Sequence, residues 1–348
     1  MPILAEQVEI VIGVDTHTDT YTAALLTSIG AVRAELTAPA DPGGVDALLA
    51  WADTHSADTV RAWVVDGARS HGVGLTRRLR AAGERVLEAA RVPGARRRRG
   101  GKSDPLDAIL VARTALAADK PPGTPRADGD REALRLLHVA RRHYTDTRTA
   151  TVNVIKSLIL TADDDLREQL RGRSTDQQIR HLAHLTPRTT GPTVDRIRRE
   201  HLHTLATQVA ALDRLIADNL KHLRTVVRAL CPALLDQPGV GPVTAAIALT
   251  AWSHRGRLRS EAAFAALAGV NPIPASSGRT TRHRLNRGGD RTLNSALHTI
   301  ARTRSRCHPT TQAYIARRTA QGRTNNEINR CLKRYIARQL FRLLQATP

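Results

Sequence analysis

Four aspartates in the first third of the chain have the residue type and the positions needed to bind a divalent metal ion. Asp15 and Asp66 each follow a run of apolar residues that is typical of a buried strand. Asp104 and Asp107 are three residues apart, so a helix would place them on one face. Carboxylates fixed at strand ends and on one helical turn supply the oxygen ligands that Mg²⁺ prefers, and Mn²⁺ can substitute. Each aspartate alone is more often a helix cap or a turn residue, but together they predict a metal site.

The charge of the chain indicates what such a metal ion would act on. The 348 residues include 53 lysines and arginines but 32 aspartates and glutamates, which gives a formal charge of +21. This charge favours a nucleic-acid partner, because phosphate contacts supply most of the affinity that does not depend on base sequence. A general arginine bias of the genome is the alternative explanation. Aromatic residues make up only 3% of the chain, which is too few for a surface that stacks unpaired bases.

Cysteine and hydropathy patterns argue against several other classes of protein. The chain has three cysteines without CxxC spacing, so neither a zinc site nor a disulfide framework is indicated, and we expect buried thiols in a reducing compartment. No window of about 18 apolar residues predicts a membrane span. The first residues lack the pattern of a signal peptide, so the predicted location is cytoplasmic, without a membrane partner.

The elements that must position the four aspartates alternate between strand-like and helix-like segments over residues 1–120. The predicted strands are 8–14, 21–26, 31–36, 60–65 and 84–89, and the predicted helices are 43–55, 72–82 and 104–116. Gly30 is predicted to form the turn between the second and third strands. Asp104 and Pro105 are predicted to be the cap and the first residue of the last helix. This order is typical of an α/β domain with a mixed sheet.

Residues 121–130 are rich in proline and glycine and predict a linker, after which residues 131–230 have the pattern of long helices. Apolar residues recur every seven positions from Leu202 to Leu230, and a second row that Asn219 interrupts follows three positions later. This pattern predicts a coiled-coil seam over about four heptads. Two helices packed inside one subunit would also produce it, but pairing between subunits is the interpretation that we favour.

Residues 231–348 have the pattern of a helical region with two loops that could contact phosphate. Gly239 and Gly241 precede a helix, and the exposed N–H groups of such a turn can bind phosphate, although a plain turn has the same composition. Ser276 lies in a Ser-Ser-Gly segment and could attack a phosphodiester, although a plain polar turn is again the alternative. The arginines that could hold the phosphate and stabilise charge are Arg279, Arg282, Arg284 and Arg287.

A basic run precedes the paired aspartates. Its members are Arg96, Arg97, Arg98, Arg99 and Lys102. A run of like charge is usually a solvated loop, but its position beside the predicted metal site favours a role in steering a phosphate backbone into that site. The same interpretation applies to the later arginines Arg302, Arg304, Arg306, Arg317 and Arg318.

Taken in order, these motifs resemble the DEDD transposases of the insertion-sequence family numbered one hundred and ten, which are relatives of the Piv DNA invertase. The resemblance extends over nearly the whole chain. Its N-terminal part consists of Gly13-Val-Asp15 and of the segment 102–108 with its paired aspartates. Its C-terminal part consists of the segments 239–242, 264–265, 268–269, Pro272, 276–278 and 287–288.

The resemblance implies a RuvC-like N-terminal domain with the RNase H fold, a helical coiled-coil middle and a helical C-terminal transposase domain. It implies that Ser276, with Ser277 as the alternative, joins covalently to DNA before the strand is transferred, while the aspartates hold Mg²⁺ beside the phosphate. The implied partners are donor and target double-stranded DNA, a structured noncoding bridge RNA, and further copies of the chain in a dimer and a synaptic tetramer. The implied location is the prokaryotic nucleoid.

One position departs from the family pattern, in which the second acid is normally glutamate and here is Asp66. Aspartate is one methylene shorter, so its carboxylate reaches less far toward a metal ion. Two other functions stay open beside the recombinase. The first is a RuvC-like nuclease or junction resolvase in which water attacks and Ser276 is structural. The second is a catalytically decayed nucleic-acid-binding protein.

Overall fold

The computed structural model describes residues 2–89, 103–186, 190–275, 283–284 and 286–346. The chain divides into two compact units, Met1–Arg126 and Ala127–Pro348. The first unit is built around a single sheet, whereas the second is almost entirely helical. Each unit has its own buried apolar clusters.

The first unit contains a five-stranded sheet. Its strands are β1 (Ile10–Thr16), β2 (Thr20–Thr27), β3 (Val32–Pro39), β4 (Arg61–Val65) and β5 (Val86–Glu88). In the spatial order β3-β2-β1-β4-β5, the first three strands are antiparallel neighbours, whereas β4 runs parallel to β1 and β5 parallel to β4. The central strand β1 is buried along its whole length. Gly30 has a φ of +85° in the turn between β2 and β3, a conformation that favours glycine.

Helices cover both faces of this sheet. They are α1 (Pro42–Ser56), α2 (Val73–Ala81) and α3 (Asp104–Leu116). Successive side chains of a strand point to opposite faces, so β1 supplies both cores. Ile12 packs with Leu48 of α1 and Leu75 of α2, whereas Val11 packs with Ala112 of α3 on the other face. The predicted mixed α/β domain is confirmed, and this arrangement is consistent with the RNase H-like fold that the resemblance implies.

The start of α3 differs from the prediction in one respect. Ser103, not Asp104, occupies the N-cap position, and no side chain caps the helix there. Asp104 is the first helical residue and Pro105 the second, where the missing N–H of proline is tolerated. The Asp104 carboxylate therefore does not cap its own helix, and it lies beside a residue of the β1 segment, as described below.

The second unit is formed by nine helices within the described residues. They are α4 (Asp130–Leu160), α5 (Asp164–Leu170), α6 (Thr175–Ala183), α7 (Thr193–Leu230), α8 (Pro242–Trp252), α9 (Glu261–Leu267), α10 (Arg291–Cys307), α11 (Pro309–Ala320) and α12 (Asn325–Ala346). The short strands β6 (Ile273–Pro274) and β7 (His283–Arg284) pair antiparallel. Trp252, Phe264 and Phe341 belong to the main core of this unit. The predicted helical C-terminal region is confirmed.

The long helices α4 and α7 pack antiparallel against each other within one chain. Arg141 donates to the Ile216 carbonyl oxygen at 2.9 Å. Asn219, which interrupts the heptad row, is buried and donates from Nδ2 to the Leu137 carbonyl oxygen at 2.9 Å. The seam residues from 202 to 230 are buried or half-buried among helices of the same chain. Helix α4 and other helices of the same chain therefore already cover this seam, so the structure does not support the favoured pairing between subunits. The predicted coiled coil is not confirmed.

The three cysteines differ in their exposure. Cys231 is buried and Cys331 is half-buried, but Cys307 is exposed, and all three are free thiols. The expectation of buried thiols is therefore wrong for Cys307. This residue ends α10, and its Sγ lies 3.2 Å from the Thr303 carbonyl oxygen one turn earlier, outside the buried stripe of the helix.

None of the helices in the described parts of the chain is both long and apolar enough to cross a membrane. The longest of them, α7, buries one stripe of residues and carries charged residues on its other faces. The last helix, α12, is basic and amphipathic, because it buries Leu332 and Ile336 and exposes Arg338.

Candidate metal centre

Gly13 in β1 determines how closely α3 approaches the sheet. A Cβ atom at this position would lie 2.2 Å from the Ala108 carbonyl oxygen and 2.9 Å from the Ala112 Cβ. The helix can therefore pack directly on the strand backbone only because residue 13 has no side chain. Asp15 lies two residues after Gly13 on the same face of β1, and Asp104 begins α3. The close contact thus brings these two aspartates to one edge of the sheet.

Asp15, His17 and Asp104 form the centre of this edge. The His17 Nε2 atom lies 3.1 Å from Asp15 Oδ2 and 3.4 Å from Asp104 Oδ1. One potential ligand atom from each of the three residues lies within 4.8 Å of the other two. The Asp15 side chain is 12% exposed, whereas the side chains of His17 and Asp104 are 47% and 45% exposed. The cluster is therefore anchored on a buried carboxylate and opens to solvent through its other two members.

Asp66 lies at the same edge of the sheet, directly after the neighbouring strand β4. Its backbone N–H donates to the Val14 carbonyl oxygen at 2.9 Å, which continues the ladder between β1 and β4. Its carbonyl oxygen accepts a hydrogen bond from Thr16 Oγ1 at 2.8 Å. The exposed side chain accepts from the Gly67 N–H at 2.8 Å through Oδ1. Because β1 and β4 are parallel, the residues that follow both strands lie at one edge.

The electrostatics of Asp15 link all four aspartates. Burial raises the pKa of the Asp15 carboxyl above its ordinary value, and His17 opposes this shift. The negative charges of Asp107, Asp66 and Asp104 raise the pKa further. The structure therefore brings Asp66, Asp104 and Asp107 within electrostatic range of Asp15, and a cation bound beside Asp15 would relieve the repulsion that Asp15 experiences.

The residues at this edge suit a divalent metal ion. Carboxylate oxygens are the ligands of Mg²⁺ and Mn²⁺, and the imidazole nitrogen of His17 adds a donor that is better suited to a transition metal. Ionised carboxylates in a partly buried site are unfavourable without a compensating positive charge. Asp15 and Asp104 present oxygen atoms to a common point, and Asp66 and Asp107 are close enough to interact with Asp15.

His17 is the member of the cluster that sequence reasoning missed. The signal was present, because Asp15 and His17 are two residues apart and strand periodicity places such a pair on one face. A lone histidine just past a strand is not informative, however, unless it is known that a second carboxylate lies opposite. That information depends on how α3 packs, which local sequence does not give.

In the second unit, the ends of the segment that carries Ser276 are held together by two glycine turns. Gly269 has a φ of +65°, and a Cβ on it would lie 2.5 Å from the Gly288 carbonyl oxygen. Gly289 has a φ of +101°, and a Cβ on it would lie 2.6 Å from the Leu267 carbonyl oxygen. The two turns therefore touch backbone to backbone with no room for side chains.

The structure places only part of the predicted basic and nucleophilic set. Arg284 and Arg287 are described and exposed. The predicted site residues outside the described residues are Ser276, Ser277, Arg279, Arg282, Arg96, Arg97, Arg98, Arg99 and Lys102. Their roles stay predictions.

The turn at Gly239 and Gly241 is fixed from inside the second unit. Arg304 is 7% exposed and donates from Nε to the Pro238 carbonyl oxygen at 2.7 Å. The Gly241 N–H donates to Thr244 Oγ1 at 3.0 Å, so this amide already takes part in the start of α8. Phosphate binding by this turn stays a prediction, whereas Arg304 is an internal contact and not part of an exposed basic surface.

Comparison with known proteins gives two family matches on this chain. The DEDD transposase model of the IS110 type matches residues 12–162, and the model described as "Transposase IS116/IS110/IS902 family" matches residues 231–316. A relative from Streptomyces coelicolor, "Insertion element IS110 uncharacterized 43.6 kDa protein", is 33% identical over 118 residues, which cover 33% of this chain and 29% of the relative. A "Probable family 20 transposase" from Pseudomonas aeruginosa is 28% identical over 218 residues, which cover 60% and 61% of the two chains.

Both family matches are to transposase models of the IS110 type, so this chain is similar to that family in two separate regions. Each alignment spans less than two thirds of the relative's own length. The N-terminal IS110-type match contains Asp15, Asp66, Asp104 and Asp107. The C-terminal IS110-type match contains the serine segment and the turn at 239–241. The two groups of residues that were predicted to do chemistry thus fall in the two matched regions.

Proposed function

We propose that the chain is a transposase that cuts and rejoins DNA through a covalent bond between a serine and the DNA. The observation that carries this proposal is the convergence of Asp15, Asp66, Asp104 and Asp107 at one edge of the sheet, inside the region that matches the DEDD transposase model. The formal charge of +21 supports a nucleic-acid substrate.

The four aspartates are the proposed ligands of Mg²⁺, for which Mn²⁺ can substitute. Once bound, the metal ion would stabilise the negative charge that builds up on a reacting phosphate. Asp15 is the rigid member, because it is buried in the central strand. Asp104 is half-exposed and Asp66 is exposed, so the site faces the solvent from which DNA would approach. His17 holds Asp15 and Asp104 at a short separation through its Nε2 atom.

Ser276 is the proposed nucleophile, and Ser277 is the alternative. The serine Oγ forms a bond to phosphorus while the bond between phosphorus and the departing DNA oxygen breaks, and the serine proton ends on that oxygen. Attack by a second DNA hydroxyl on the serine-linked phosphate reverses these steps, transfers the strand and restores the serine. The arginines proposed to hold the phosphate are Arg279, Arg282, Arg284 and Arg287.

Base specificity is proposed to come from a bridge RNA that pairs with donor and target DNA. Phosphate contacts alone position a nucleic acid but do not read its sequence, so a basic protein of this kind benefits from a guide that does. A dimer and a synaptic tetramer are the proposed assemblies. Since the seam of α7 is covered within the chain, contacts between subunits would have to come from other surfaces.

The test of this proposal uses the full chain, Mg²⁺, RNA transcribed from the flank of the element, and labelled DNA that spans the element junction. We expect a protein–DNA band that resists denaturation, that requires the metal ion, and that Ser276→Ala abolishes while Ser277→Ala does not. Loss of the band only with Ser277→Ala would move the nucleophile by one residue. Asp15→Asn is the control for a metal-site defect, because it leaves both serines intact.

A water-attacking nuclease or junction resolvase is the second candidate. It is favoured by the cluster of Asp15, His17 and Asp104 and by the match of residues 12–162 to the DEDD transposase model, since a metal ion held by carboxylates can activate water without a serine. Cleavage of the same DNA with no covalent band in either serine variant or in the wild type would establish it in place of the serine mechanism.

The shorter acid at position 66 gives a separate test. We expect Asp66→Glu to retain or raise strand transfer and Asp66→Ala to abolish it, because glutamate restores the reach that the family pattern normally has. If Asp66→Glu abolishes transfer while Asp66→Ala does not, Asp66 is not a ligand. Absence of any metal-dependent reaction on junction or element-end DNA would instead favour a decayed, DNA-binding protein.

A further inference from the structure

The last three helices concentrate the positive charge of the chain. Residues 291–346 contain twelve lysines and arginines and a single acid, Glu327. Such an excess of positive charge can attract phosphate without a defined site, or some of the arginines can form a specific phosphate-binding site. The internal contacts of each arginine distinguish these two cases.

Several of these arginines form hydrogen bonds or ion pairs with other residues of the chain. Arg304 is buried and donates from Nη1 to Gln339 Oε1 at 2.8 Å. Arg338 donates from Nε to Glu261 Oε2 at 2.8 Å, and Arg342 forms a second ion pair with the same glutamate. These arginines hold α10, α12 and α9 together and have limited freedom to bind a ligand.

The single acid of residues 291–346 also has partners inside the protein. Glu327 Oε2 accepts hydrogen bonds from the Thr324 N–H at 2.9 Å and from Thr324 Oγ1 at 3.0 Å. Its Oε1 lies 3.5 Å from Arg323. Glu327 therefore stabilises the start of its own helix and does not neutralise α10.

Arg302 and Arg306 have a different environment. They are exposed, they are four residues apart on one face of α10, and within the described residues no carboxylate forms an ion pair with either. Both line a cavity of about 380 Å³ between α10, α11 and α12. Asn325 and Asn329 of α12 line its opposite side, and no hydrogen-bond partner of either amide side chain is found in the described residues.

The shape and chemistry of this cavity fit a tetrahedral oxyanion. The two guanidinium groups supply charge and directed N–H donors, and the two amides supply further donors that carry no charge. Ile315 and Ile328 form an apolar wall, which excludes water from one side and strengthens the attraction.

We propose that this cavity binds a backbone phosphate of duplex DNA. This inference rests on the proposed function for the identity of the nucleic acid, but the site itself follows from the cavity and its unpaired arginines. None of the described residues that line the cavity is aromatic, and the chain as a whole is only 3% aromatic, so stacking of unpaired bases does not explain it. Contact with a paired backbone does not require such stacking.

The test measures the affinity of the full chain for a fluorescent mixed-sequence duplex of about 30 base pairs over a range of NaCl concentrations, in EDTA so that no cleavage occurs. The variant carries Arg302→Gln and Arg306→Gln, and the matched control carries Arg338→Gln and Arg342→Gln. Both lose two arginines with the same spacing on a helix, but only the first pair lines the cavity. Melting curves of both variants exclude unfolding as the cause.

We expect the cavity variant to bind about tenfold more weakly near physiological salt, with a salt slope that is smaller by about one phosphate contact. The control should lose less than about threefold, with an unchanged slope. Asn329→Asp, which keeps both arginines but adds a negative charge to the cavity, should weaken binding at least as much as the double variant.

Equal losses in the two double variants would show that net charge alone matters and would overturn the proposal, as would an unchanged affinity of the cavity variant. A duplex RNA of the same length forms the second arm, and a loss confined to RNA would overturn the assignment to DNA. Because no cleavage occurs in EDTA, failure here is distinguishable from failure of the covalent-band test. If the wild type forms the covalent band and the variant without Arg302 and Arg306 binds duplex DNA normally, only the proposed phosphate site in the cavity is refuted.

Discussion

Asp15 and Arg304 are both charged and nearly buried, 9% and 7% exposed, but the two units surround them differently. Arg304 donates to the Pro238 carbonyl oxygen and to Gln339 Oε1, so its charge is used in packing. Asp15 lies among like charges, and His17 is the group that opposes the shift of its pKa. Burial lowers the pKa of Arg304 and raises that of Asp15, because it disfavours the charged form of each.

The comparison distinguishes a charge that stabilises the fold, on Arg304, from a charge that is positioned to bind a ligand, on Asp15. Arg304 has acceptors at Nε and Nη1, so it is a structural contact, although its buried Nη2 has no hydrogen-bond partner among the described residues. A buried carboxylate whose pKa is raised by three nearby carboxylates is unfavourable by itself, so the fold must impose the arrangement from outside the cluster. The contact of Gly13 with α3 imposes the position of Asp104 and Asp107, and the parallel pairing of β1 with β4 imposes that of Asp66.

Substitution of Gly13 by alanine should have the largest effect on this arrangement. The new Cβ would lie 2.2 Å from the Ala108 carbonyl oxygen, so α3 must move away from β1. We expect the free energy of unfolding of the first unit to fall by about 3 kcal/mol or more. Denaturant unfolding of the full chain, followed by tryptophan fluorescence because Trp63 is buried in this unit, measures the change.

Gly43→Ala in α1 is the matched control for Gly13→Ala. Its Cβ would lie 3.5 Å from Asp41 Oδ1, which is an ordinary contact, so a change of less than about 1 kcal/mol is expected. If both substitutions have the same small effect, α3 is not held on β1 by the absence of a side chain, and the explanation of the acidic cluster fails.

Asp15→Asn should separate the ligand role of this residue from its effect on the fold. Removing the buried charge should raise the thermal stability of the metal-free protein, while affinity for Mn²⁺ falls by more than about 100-fold. Calorimetric titration with Mn²⁺ and metal-free melting measure the two effects. A variant that melts lower than the wild type and still binds Mn²⁺ would place Asp15 with Arg304 as a structural charge.

The stability effect of Asp15→Asn should also depend on pH. Since the folded-state pKa of Asp15 is raised above the ordinary 3.8, ionisation of this group removes stability as pH rises from 3.8 through the raised value. The melting temperature of the variant minus that of the wild type should therefore increase as pH rises from 3.8 through the raised pKa, and it should stay constant at higher pH. A difference that shrinks as pH rises would mean that the folded state stabilises the ionised form.

His17→Ala should have a smaller and more selective effect. Imidazole nitrogen suits Mn²⁺ better than Mg²⁺, so its loss should lower the preference for Mn²⁺ by about tenfold while Mg²⁺ affinity changes little. Competition between the two ions, read from the electron paramagnetic resonance of free Mn²⁺, measures the ratio. Equal losses for both ions would make His17 a positioning residue that only orients Asp15 and Asp104.

The parts of this comparison that could be predicted from the sequence are those set by local pattern. The apolar runs before Asp15 and Asp66 predict two buried strands, and the spacing of Asp104 and Asp107 predicts one helical face. Each pattern depends on neighbours within a few residues. The mixed sheet and the helical second half follow from the order of such segments.

The remaining parts depend on residues that are distant in the sequence. That His17 lies opposite Asp104 depends on how α3 packs on Gly13, and no periodicity records it. The sequence groups Arg302, Arg304 and other arginines as one basic set, but the structure buries Arg304 and leaves Arg302 exposed. The heptad seam shows the same limit, because its period is identical for pairing within a chain and between chains.

Glu261→Gln should have the smallest effect and tests the other side of the comparison. This carboxylate accepts hydrogen bonds from Arg338 and Arg342, and these ion pairs hold the pKa of Glu261 below its ordinary value. Without the charge, both arginines remain on the surface but become free to attract phosphate. We expect duplex DNA affinity at low salt to rise by about twofold, with the gain lost at high salt because exposed charges are screened. Fluorescence anisotropy over a salt series measures it. If the gain in DNA affinity exceeds the loss caused by Arg302→Gln and Arg306→Gln, Arg338 and Arg342 are also DNA-binding residues. The distinction between structural and ligand-binding arginines would then be wrong for these two.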